Sequence, residues 1–551
     1  MIIYERIYRV LFVFISHVSI AFYIQVGKCY TIPMRDENKP GNSDNYVASK
    51  SIKNIIGMIC VIASAVITIC LICRYAVSDD IWYDEVFSMG FIRQNISNLI
   101  KYTSMDVHPP AYYIYLKMIT GAAVSLFGTG ALIPAAKFAS IIPWFILLII
   151  SLVYIRKAYG MFTAGLFVLF ITVMPQMGTY YTEIRMYSLA LLMITAEILT
   201  AIKIADDSEG TKIHTWAVFC LMGILTAYTQ YYACIAIAAV YLELLILLMM
   251  RGIKNNNKAI KALIICMIIS VVAYIPWLPK LFGQMNHISG DYWIQPLTLR
   301  SIPGCVKFII LPVADYGKLT YVSAGLMALT ILVSLILFLK NHTKSDIISV
   351  IFCVLPLVLV IIAGFILSIA GTPIFVYRYM IPTLGGMWLA VALILDKVTV
   401  NKAVYILLIP FIFVAVLSML GYKAEESKKC IQMKHATEAL AKIPEGSSVI
   451  TNFDHVTAVY SYYRPNDNVY LYEGETDRLI PILNGNVDSS LDDEGILKLT
   501  ESQSPVFFLG SFNSREEIVD SWKAIGIDSE LDDSILIERY WINIYKLTKK
   551  D

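Results

Sequence analysis

Acidic side chains and one imidazole gather in two short polar stretches of an otherwise apolar chain. Asp79-Asp80-Ile81-Trp82-Tyr83-Asp84-Glu85 is followed about twenty residues later by Asp106-Val107-His108-Pro109-Pro110. The pair Asp84-Glu85 can hold one ionised base beside a second group that binds a metal, a hydroxyl or a helix terminus. Taken alone, the pair reads equally as loop acidity at a membrane surface. Proline tolerates the first helical turn but not an interior position, so Pro109-Pro110 end any helix before them and open one after. That puts Asp106 and His108 at the N-terminal lip of a helix over residues 111–126, where a histidine serves either as an interfacial hydrogen-bonder or as a ligand. Farther along, Arg185 follows Tyr180-Tyr181-Thr182-Glu183-Ile184, and Arg378 stands between Tyr377 and Tyr379. Each arginine can snorkel to lipid headgroups or clamp a phosphate with its planar fork. Two tyrosine-flanked arginines in a chain with carboxylates on the same side lean toward an anionic lipid ligand.

The elements that must position these groups are membrane helices. A chain of 551 residues that is 58% hydrophobic and 16% charged, with a mean hydropathy of +0.66, lacks the charge to cover a soluble surface. Runs of about twenty apolar residues cross the hydrocarbon as helices, because only helical backbone satisfies itself in lipid. Eleven such spans are predicted, near residues 54–74, 133–154, 161–178, 187–204, 215–232, 233–250, 262–280, 320–340, 347–370, 377–396 and 403–421. With the first running outward, Arg156-Lys157, Lys203, Arg251, Lys340 and Lys397 all fall in the cytoplasm. The apolar stretch 111–128 would invert every later loop if it crossed. It is therefore predicted to stay outside as an interfacial or re-entrant helix, within an external loop over 75–132 that holds both polar motifs. Tyr180–Tyr187, Gln230-Tyr231-Tyr232, residues 281–319 and Tyr377-Arg378-Tyr379 face the same side.

Residues 1–53 form a leader in which Arg6 and Arg9 precede an apolar run over 10–25. A signal peptide lacks a small-residue cleavage site near Gly27-Lys28. A twelfth span would put both arginines outside, and a true start at Met34 would leave a polar leader up to Ser51. An interfacial or mis-started segment is the expectation. Residues 422–551 carry 14 Lys and Arg against 23 Asp and Glu, and their pattern alternates a helix over 425–443, strands over 448–452, 469–472 and 506–509, a helix over 514–524 and strands within 534–547. An extracytoplasmic α/β domain is predicted there, either recognising acceptor or acting as a passive cap. Seven of the ten cysteines sit in spans, so they pack as small apolar groups and imply no disulfide framework.

The ordered set Asp84-Glu85, Asp106-Val107-His108-Pro109-Pro110-Ala111-Tyr112-Tyr113, Glu183-Ile184-Arg185-Met186-Tyr187, Tyr228-Thr229-Gln230-Tyr231 and Arg378-Tyr379-Met380 resembles the GT-C glycosyltransferases. Over residues 55–400 it looks most like the bacterial relatives of protein O-mannosyltransferases and of the lipid A aminoarabinose transferase. The resemblance implies a mainly α polytopic bundle of GT-C type over 54–421. It implies inverting transfer of a sugar from a polyprenyl-phosphate donor to an acceptor hydroxyl at the outer face of the plasma membrane. Asp84 matches the catalytic aspartate that takes the acceptor proton, and Glu85 supports it or touches acceptor. Asp106, His108, Glu183, Tyr187, Gln230, Tyr231 and Tyr379 would shape the substrate pocket, while Arg185 and Arg378 hold the donor phosphate. In relatives that hold a divalent metal ion, Glu85 and His108 stand where they could help coordinate it. Lys137 stands where an arginine often opens the second span, and Gln230 where a histidine is common. The implied acceptor is a cell-envelope polymer, glycolipid or protein, in the company of membrane lipid and not of nucleic acid.

A transporter or flippase of a lipid-linked envelope precursor is the rival class. It would place ionisable residues at mid-membrane, whereas the spans here read as almost uncharged. A scaffold bearing an external domain gives no reason for the carboxylates and arginines to share a side.

Overall fold

The computed structural model describes residues 43–550 apart from 79, 288–293, 399–401, 475, 477–478, 480–490, 503, 513–514 and 539. Arg6, Arg9 and Met34 of the expected leader, and Asp79 of the first polar stretch, lie outside the described residues.

Apolar runs become helices in the expected order. The span α1 (Ser51–Tyr75) is followed by α2 (Tyr83–Arg93), α3 (Ile96–Thr103) and the apolar α4 (Ala111–Phe127). Then come α5 (Thr129–Tyr159), α6 (Met161–Val173), α7 (Met177–Thr182), α8 (Tyr187–Asp206), α9 (Ile213–Ala227) and α10 (Tyr231–Met250). The helical part ends with α11 (Ile253–Asn286), α12 (Ser301–Ile310), α13 (Lys318–Lys340), α14 (Lys344–Ala370), α15 (Tyr377–Val398) and α16 (Tyr405–Leu440). Nine of these are long and apolar enough to cross a membrane among the described residues, which makes this a multi-pass membrane protein. The two remaining expected spans are the shorter α6 and α9, of 13 and 15 residues. α6 is enclosed by α1 and α15 and buries nearly every side chain, so protein rather than lipid surrounds it. α4, which the charge pattern predicts to stay out of the spanning set, is also one of the shorter apolar helices.

Close helix contact depends on glycine at one crossing. Gly57 of α1 lies against the Met161 carbonyl, and Gly165 of α6 lies against the Gly57 backbone, so a β-carbon on either would overlap main-chain atoms. Small residues allow such approach where lipid offers no hydrophobic drive to hold helices together. On the polar side of the bundle, Lys53 pairs with Asp396 at 2.9 Å and Lys397 with Asp346 at 2.9 Å.

The composition change at residue 422 is not a break in the chain's path. α16 continues through it for 36 residues, about 54 Å at 1.5 Å per residue, against roughly 30 Å of hydrocarbon. Its far half lies beyond the apolar layer and leads into a five-stranded sheet of order β2-β1-β3-β5-β4. Strands β1 (Ser448–Thr451), β2 (Asn468–Leu471) and β3 (Val506–Ser511) run parallel; β4 (Ile527–Ile537) and β5 (Tyr540–Lys549) add antiparallel. Helices α17 (Asp454–Tyr463), α18 (Asp493–Thr500) and α19 (Arg515–Ala524) complete the domain. Of these helices only α19 was legible as a pattern. The two faces of the sheet have different neighbours, as period-2 alternation requires. Ile450, Phe508 and Tyr545 pack on Trp522 in a small core of the domain's own. Val449, Phe507 and Ile544 belong to the same continuous core as the membrane helices.

Gly165→Ala is expected to lower the unfolding temperature of the detergent-solubilised protein by several degrees, because overpacking of roughly 1–3 kcal/mol outweighs the gain in helix propensity. Gly283→Ala, whose β-carbon would meet open space, is expected to leave it unchanged or slightly higher. A thermal melt of both variants decides this, and equal behaviour would refute the close-crossing account.

Candidate active site

The loop leaving α1 turns back into the protein because its charges have partners there. Asp80 forms an ion pair with Lys137 of α5 at 2.8 Å, and the same ammonium donates to the Ser78 hydroxyl at 2.7 Å. α2 then starts with Asp84 and Glu85 in its first turn, where free backbone N–H groups favour negative charge. Glu85 is 4% exposed and both its oxygens are engaged by backbone. Trp82 N–H donates to Oε2 at 3.1 Å, and Ile184 N–H donates to Oε1 at 2.7 Å. A single carboxylate therefore ties the loop after α1 to the turn between α7 and α8.

That turn presents Arg185, whose Nη1 donates to the Asp84 carbonyl at 3.1 Å. Arg378, at the head of α15, reaches the other end of the same residue and pairs with Asp84 Oδ2 at 2.9 Å. Its guanidinium also lies 5.9 Å from the centre of the Trp82 ring. His108 is buried at the lip of α4, with Nδ1 unpartnered. Its neighbour Ala111 donates its N–H to the Tyr228 carbonyl at 3.0 Å, which anchors the start of that helix. These groups line one cavity of about 860 Å³.

The opposite wall comes from the C-terminal part of the chain. The far half of α16 contributes Glu425, Glu426, Lys428 and Lys429, with Lys429 paired to Glu426 at 2.7 Å. The start of α17 and the β4–β5 turn contribute Phe453, Asp454, His455, Glu538 and Tyr540. Tyr83 joins the two walls. Its N–H donates to Glu538 Oε1 at 2.8 Å and its hydroxyl to Asp454 Oδ2 at 3.1 Å. Its ring stacks on His455 with centroids 3.6 Å apart, while Ile81 N–H donates to the Tyr463 hydroxyl at 3.0 Å.

Of the residues predicted from sequence, Asp84, Glu85, Asp106, His108, Glu183, Arg185, Arg378 and Tyr379 all line the cavity. Tyr187, Gln230 and Tyr231 are not among its lining residues. Tyr187 sits just behind, within electrostatic reach of Arg185, Arg378 and Glu183. The Gln230 side chain is buried with both polar atoms unpartnered. Tyr231 donates to the Gln284 amide oxygen, and Gln284 lines the cavity and donates to the Thr103 carbonyl at 3.0 Å. Lys137, noted only as a departure from the expected arginine, proves to be a lining cation. The charge run Glu425-Glu426-Ser427-Lys428-Lys429 was the one available signal for the α16 wall, whereas Asp454 and Glu538 carry none, since only the tertiary fold brings them here.

The donor set does not fit a divalent ion. Among the described residues no three His, Cys, Asp or Glu side chains gather as metal ligands. Glu85 has given both oxygens to amides, and His108 lies near two arginines whose charge acts on it. Glu85 and His108, expected to help hold a metal, both line the cavity, and no third such side chain gathers with them among the described residues.

No family model and no curated protein matches the chain. Solved structures do. ArnT from Cupriavidus metallidurans in the apo state superimposes with a TM-score of 0.56, over 89% of this chain and 97% of that one, at 11% identity. The same protein bound to undecaprenyl phosphate gives a TM-score of 0.54, over 90% of this chain and 97% of that one, at 11% identity. The fold is the GT-C fold. The bundle of this fold carries the five-stranded sheet in the C-terminal part of the chain.

Burial dominates the acid–base character of the GT-C cavity. It pushes the Glu183 carboxyl up to about 8, opposed by Arg378 and reinforced by Glu85 and Asp84. It pushes Glu85 up to about 7, opposed by Lys137 and the two amide bonds. It holds the His108 imidazole well below its usual value, helped by Arg185 and Arg378, so the ring is neutral at pH 7. A carboxyl raised in the folded state contributes stability that is intact below the unfolded value near 4.5 and is lost as pH rises through about 8. Glu183→Gln removes that loss. Its melting temperature is expected to match the wild type near pH 5 and exceed it by a few degrees near pH 8.5. A difference independent of pH would show that Glu183 does not titrate as argued.

Proposed function

We propose that the protein is an inverting membrane glycosyltransferase that moves a sugar from a polyprenyl-phosphate donor to an acceptor hydroxyl at the extracytoplasmic face. The observation that carries this reading is a set of buried polar atoms without partners around the Asp84–Arg378 pair. His108 Nδ1, Tyr113 OH, Glu183 Oε1, Arg185 Nε and Tyr187 OH are all buried and unpartnered. Buried polar groups are normally satisfied, so such a concentration beside two guanidinium groups describes a site shaped for a polar anionic ligand. ArnT, whose fold this chain shares, has been solved bound to undecaprenyl phosphate, and a polyprenyl phosphate suits a cationic pocket set at the end of a helical bundle.

In this reading Arg185 and Arg378 hold the donor phosphate and stabilise the charge that gathers on it as the anomeric carbon–oxygen bond breaks. Asp84 takes the proton of the acceptor hydroxyl as its oxygen bonds to the anomeric carbon from the opposite side, and polyprenyl phosphate leaves. The Arg378 ion pair keeps Asp84 aimed until donor phosphate competes for the guanidinium. Glu85 is a positioning residue, since its oxygens hold backbone. Glu183 and His108, both neutral at pH 7 in this setting, hydrogen-bond sugar hydroxyls.

Glu197 of α8 and Glu243 of α10 favour the rival transporter reading. Both are buried within spans, with all four carboxyl oxygens unpartnered, although the spans had read as almost uncharged. The same assay separates the two. Membranes holding wild type or Asp84→Asn are supplied with radiolabelled polyprenyl-phosphate hexoses and native envelope acceptors. Asp84→Asn is expected to reduce transfer roughly 10²–10⁴-fold with donor binding retained, and Arg185→Ala to weaken donor binding by one to two orders of magnitude, the worth of a charged hydrogen bond. Transfer unaffected by Asp84→Asn would overturn the base assignment, and donor translocation without product would replace the transferase by a transporter.

A further inference from the structure

The two walls of the cavity differ in charge. In the membrane domain the lining is mixed, with the cations Arg185, Arg378 and Lys137 set among Asp80, Asp84, Glu85, Asp106 and Glu183. On α16, Lys428 and Lys429 are accompanied by Glu425 and Glu426 in adjacent turns. Beyond α16, the lining contributed by the C-terminal domain among the described residues is Phe453, Asp454, His455, Leu536, Glu538 and Tyr540, which includes two carboxylates and no Lys or Arg. Its rings form a ladder, with Phe453 stacked on His455 at 5.1 Å and His455 on Tyr83 at 3.6 Å, and with Tyr540 set edge-on to Phe453 and His455. Glu538 holds a left-handed backbone at φ +56 at the β4–β5 turn, a conformation uncommon for a side chain of its size, and its carboxylate is tied to Tyr83 and to His455 Nε2 at 3.3 Å.

We propose that this aromatic and acidic wall is the acceptor subsite, and that the acceptor is an uncharged saccharide. The inference rests on the transferase reading above and adds the class of acceptor. An acceptor rich in phosphate would be repelled by Asp454 and Glu538, whose charges it would meet in a partly water-excluded space. A neutral polyhydroxyl ring suits them. Each oxygen of these carboxylates meets one group of Tyr83 or His455 and keeps a second lone pair for a sugar hydroxyl to donate to. Aromatic rings supply apolar surface for the C–H faces of the sugar at little conformational cost. A cavity of about 860 Å³ lies at the upper end of the roughly 300–1,000 Å³ that encloses a drug-sized ligand, which leaves room for a donor headgroup and an acceptor ring side by side. His108 and Glu183, each with one buried and unpartnered atom, Nδ1 and Oε1, line the same cavity.

The test is saturation-transfer NMR on the full-length protein in lipid nanodiscs, with chitotetraose and cellotetraose as neutral probes and a Ser/Thr-rich peptide as the competing class. Undecaprenyl phosphate binding is measured in parallel. At least one oligosaccharide is expected to bind the wild type, and to bind at least tenfold more weakly to Asp454→Asn/Glu538→Gln and to Tyr540→Ala, with undecaprenyl phosphate binding unchanged. Tyr540→Phe, which keeps the ring and its packing, is expected to retain oligosaccharide binding and so separates loss of a contact from loss of the fold. Absence of oligosaccharide binding, binding indifferent to the double variant, or binding of the peptide instead would overturn the proposal. Oligosaccharide bound without any affinity for undecaprenyl phosphate would leave the subsite standing and sink the donor assignment.

Discussion

A carboxylate withdrawn from water must find donors, and the shape of the cavity follows from how Asp84 and Glu85 find theirs. The two are adjacent on the first turn of α2, so their side chains diverge and cannot share a partner. Glu85 takes the backbone N–H groups of Trp82 and Ile184, which draws the loop after α1 against the turn that carries Arg185. Asp84 takes Arg378 from a residue nearly three hundred positions away. Three separate connections of the bundle thereby meet at two neighbouring residues. The Asp84–Arg378 pair is only partly buried, so what it contributes most is position: it fixes the head of α15 against the first turn of α2.

The same constraint explains why the C-terminal domain is docked rather than tethered. α16 leaves the apolar layer as unbroken helix, so the direction of the domain is set by the span itself. One face of the sheet then shares the membrane domain's core, and Tyr83 hydrogen-bonds two carboxylates of the domain from the residue directly before Asp84. A shift of the domain would move Tyr83, and with it the first turn of α2. The domain is therefore coupled to the position of Asp84 through one residue of backbone, which a passive cap would not require.

The membrane architecture was legible because it is written locally, in runs of apolar residues and in the distribution of Lys and Arg between them. All eleven expected spans correspond to apolar helices, two of them shorter than a span. The segment expected to stay outside, residues 111–128, is likewise a short helix. The lining of the cavity by Asp84, Asp106, His108, Arg185 and Arg378 was legible for the same reason, since polar residues stand out against an apolar background and all fell on one predicted side. What sequence did not reveal depends on long-range pairing. Lys137 could be placed at the head of a span but not opposite Asp80. Glu85 looked like half of a reactive pair until two backbone donors were found on it. Asp454, His455 and Glu538 sit in a charge-rich domain where such residues are ordinary, and nothing short of the sheet order brings residues 454 and 538 to one edge beside Tyr83.

Glu197 and Glu243 show where hydropathy misleads. Each is a single carboxyl in an apolar helix, too dilute to disturb the character of its span, yet each is buried with no partner for either oxygen. Neither residue is among those that line the cavity, so both stand apart from the polar groups gathered around Asp84. Asp84 differs in kind: it stays partly solvated, faces a fixed cation, and stands at the seam between helices and sheet. That difference sets the polar cavity at the end of the bundle, where the C-terminal domain walls it on one side and the membrane helices on the other.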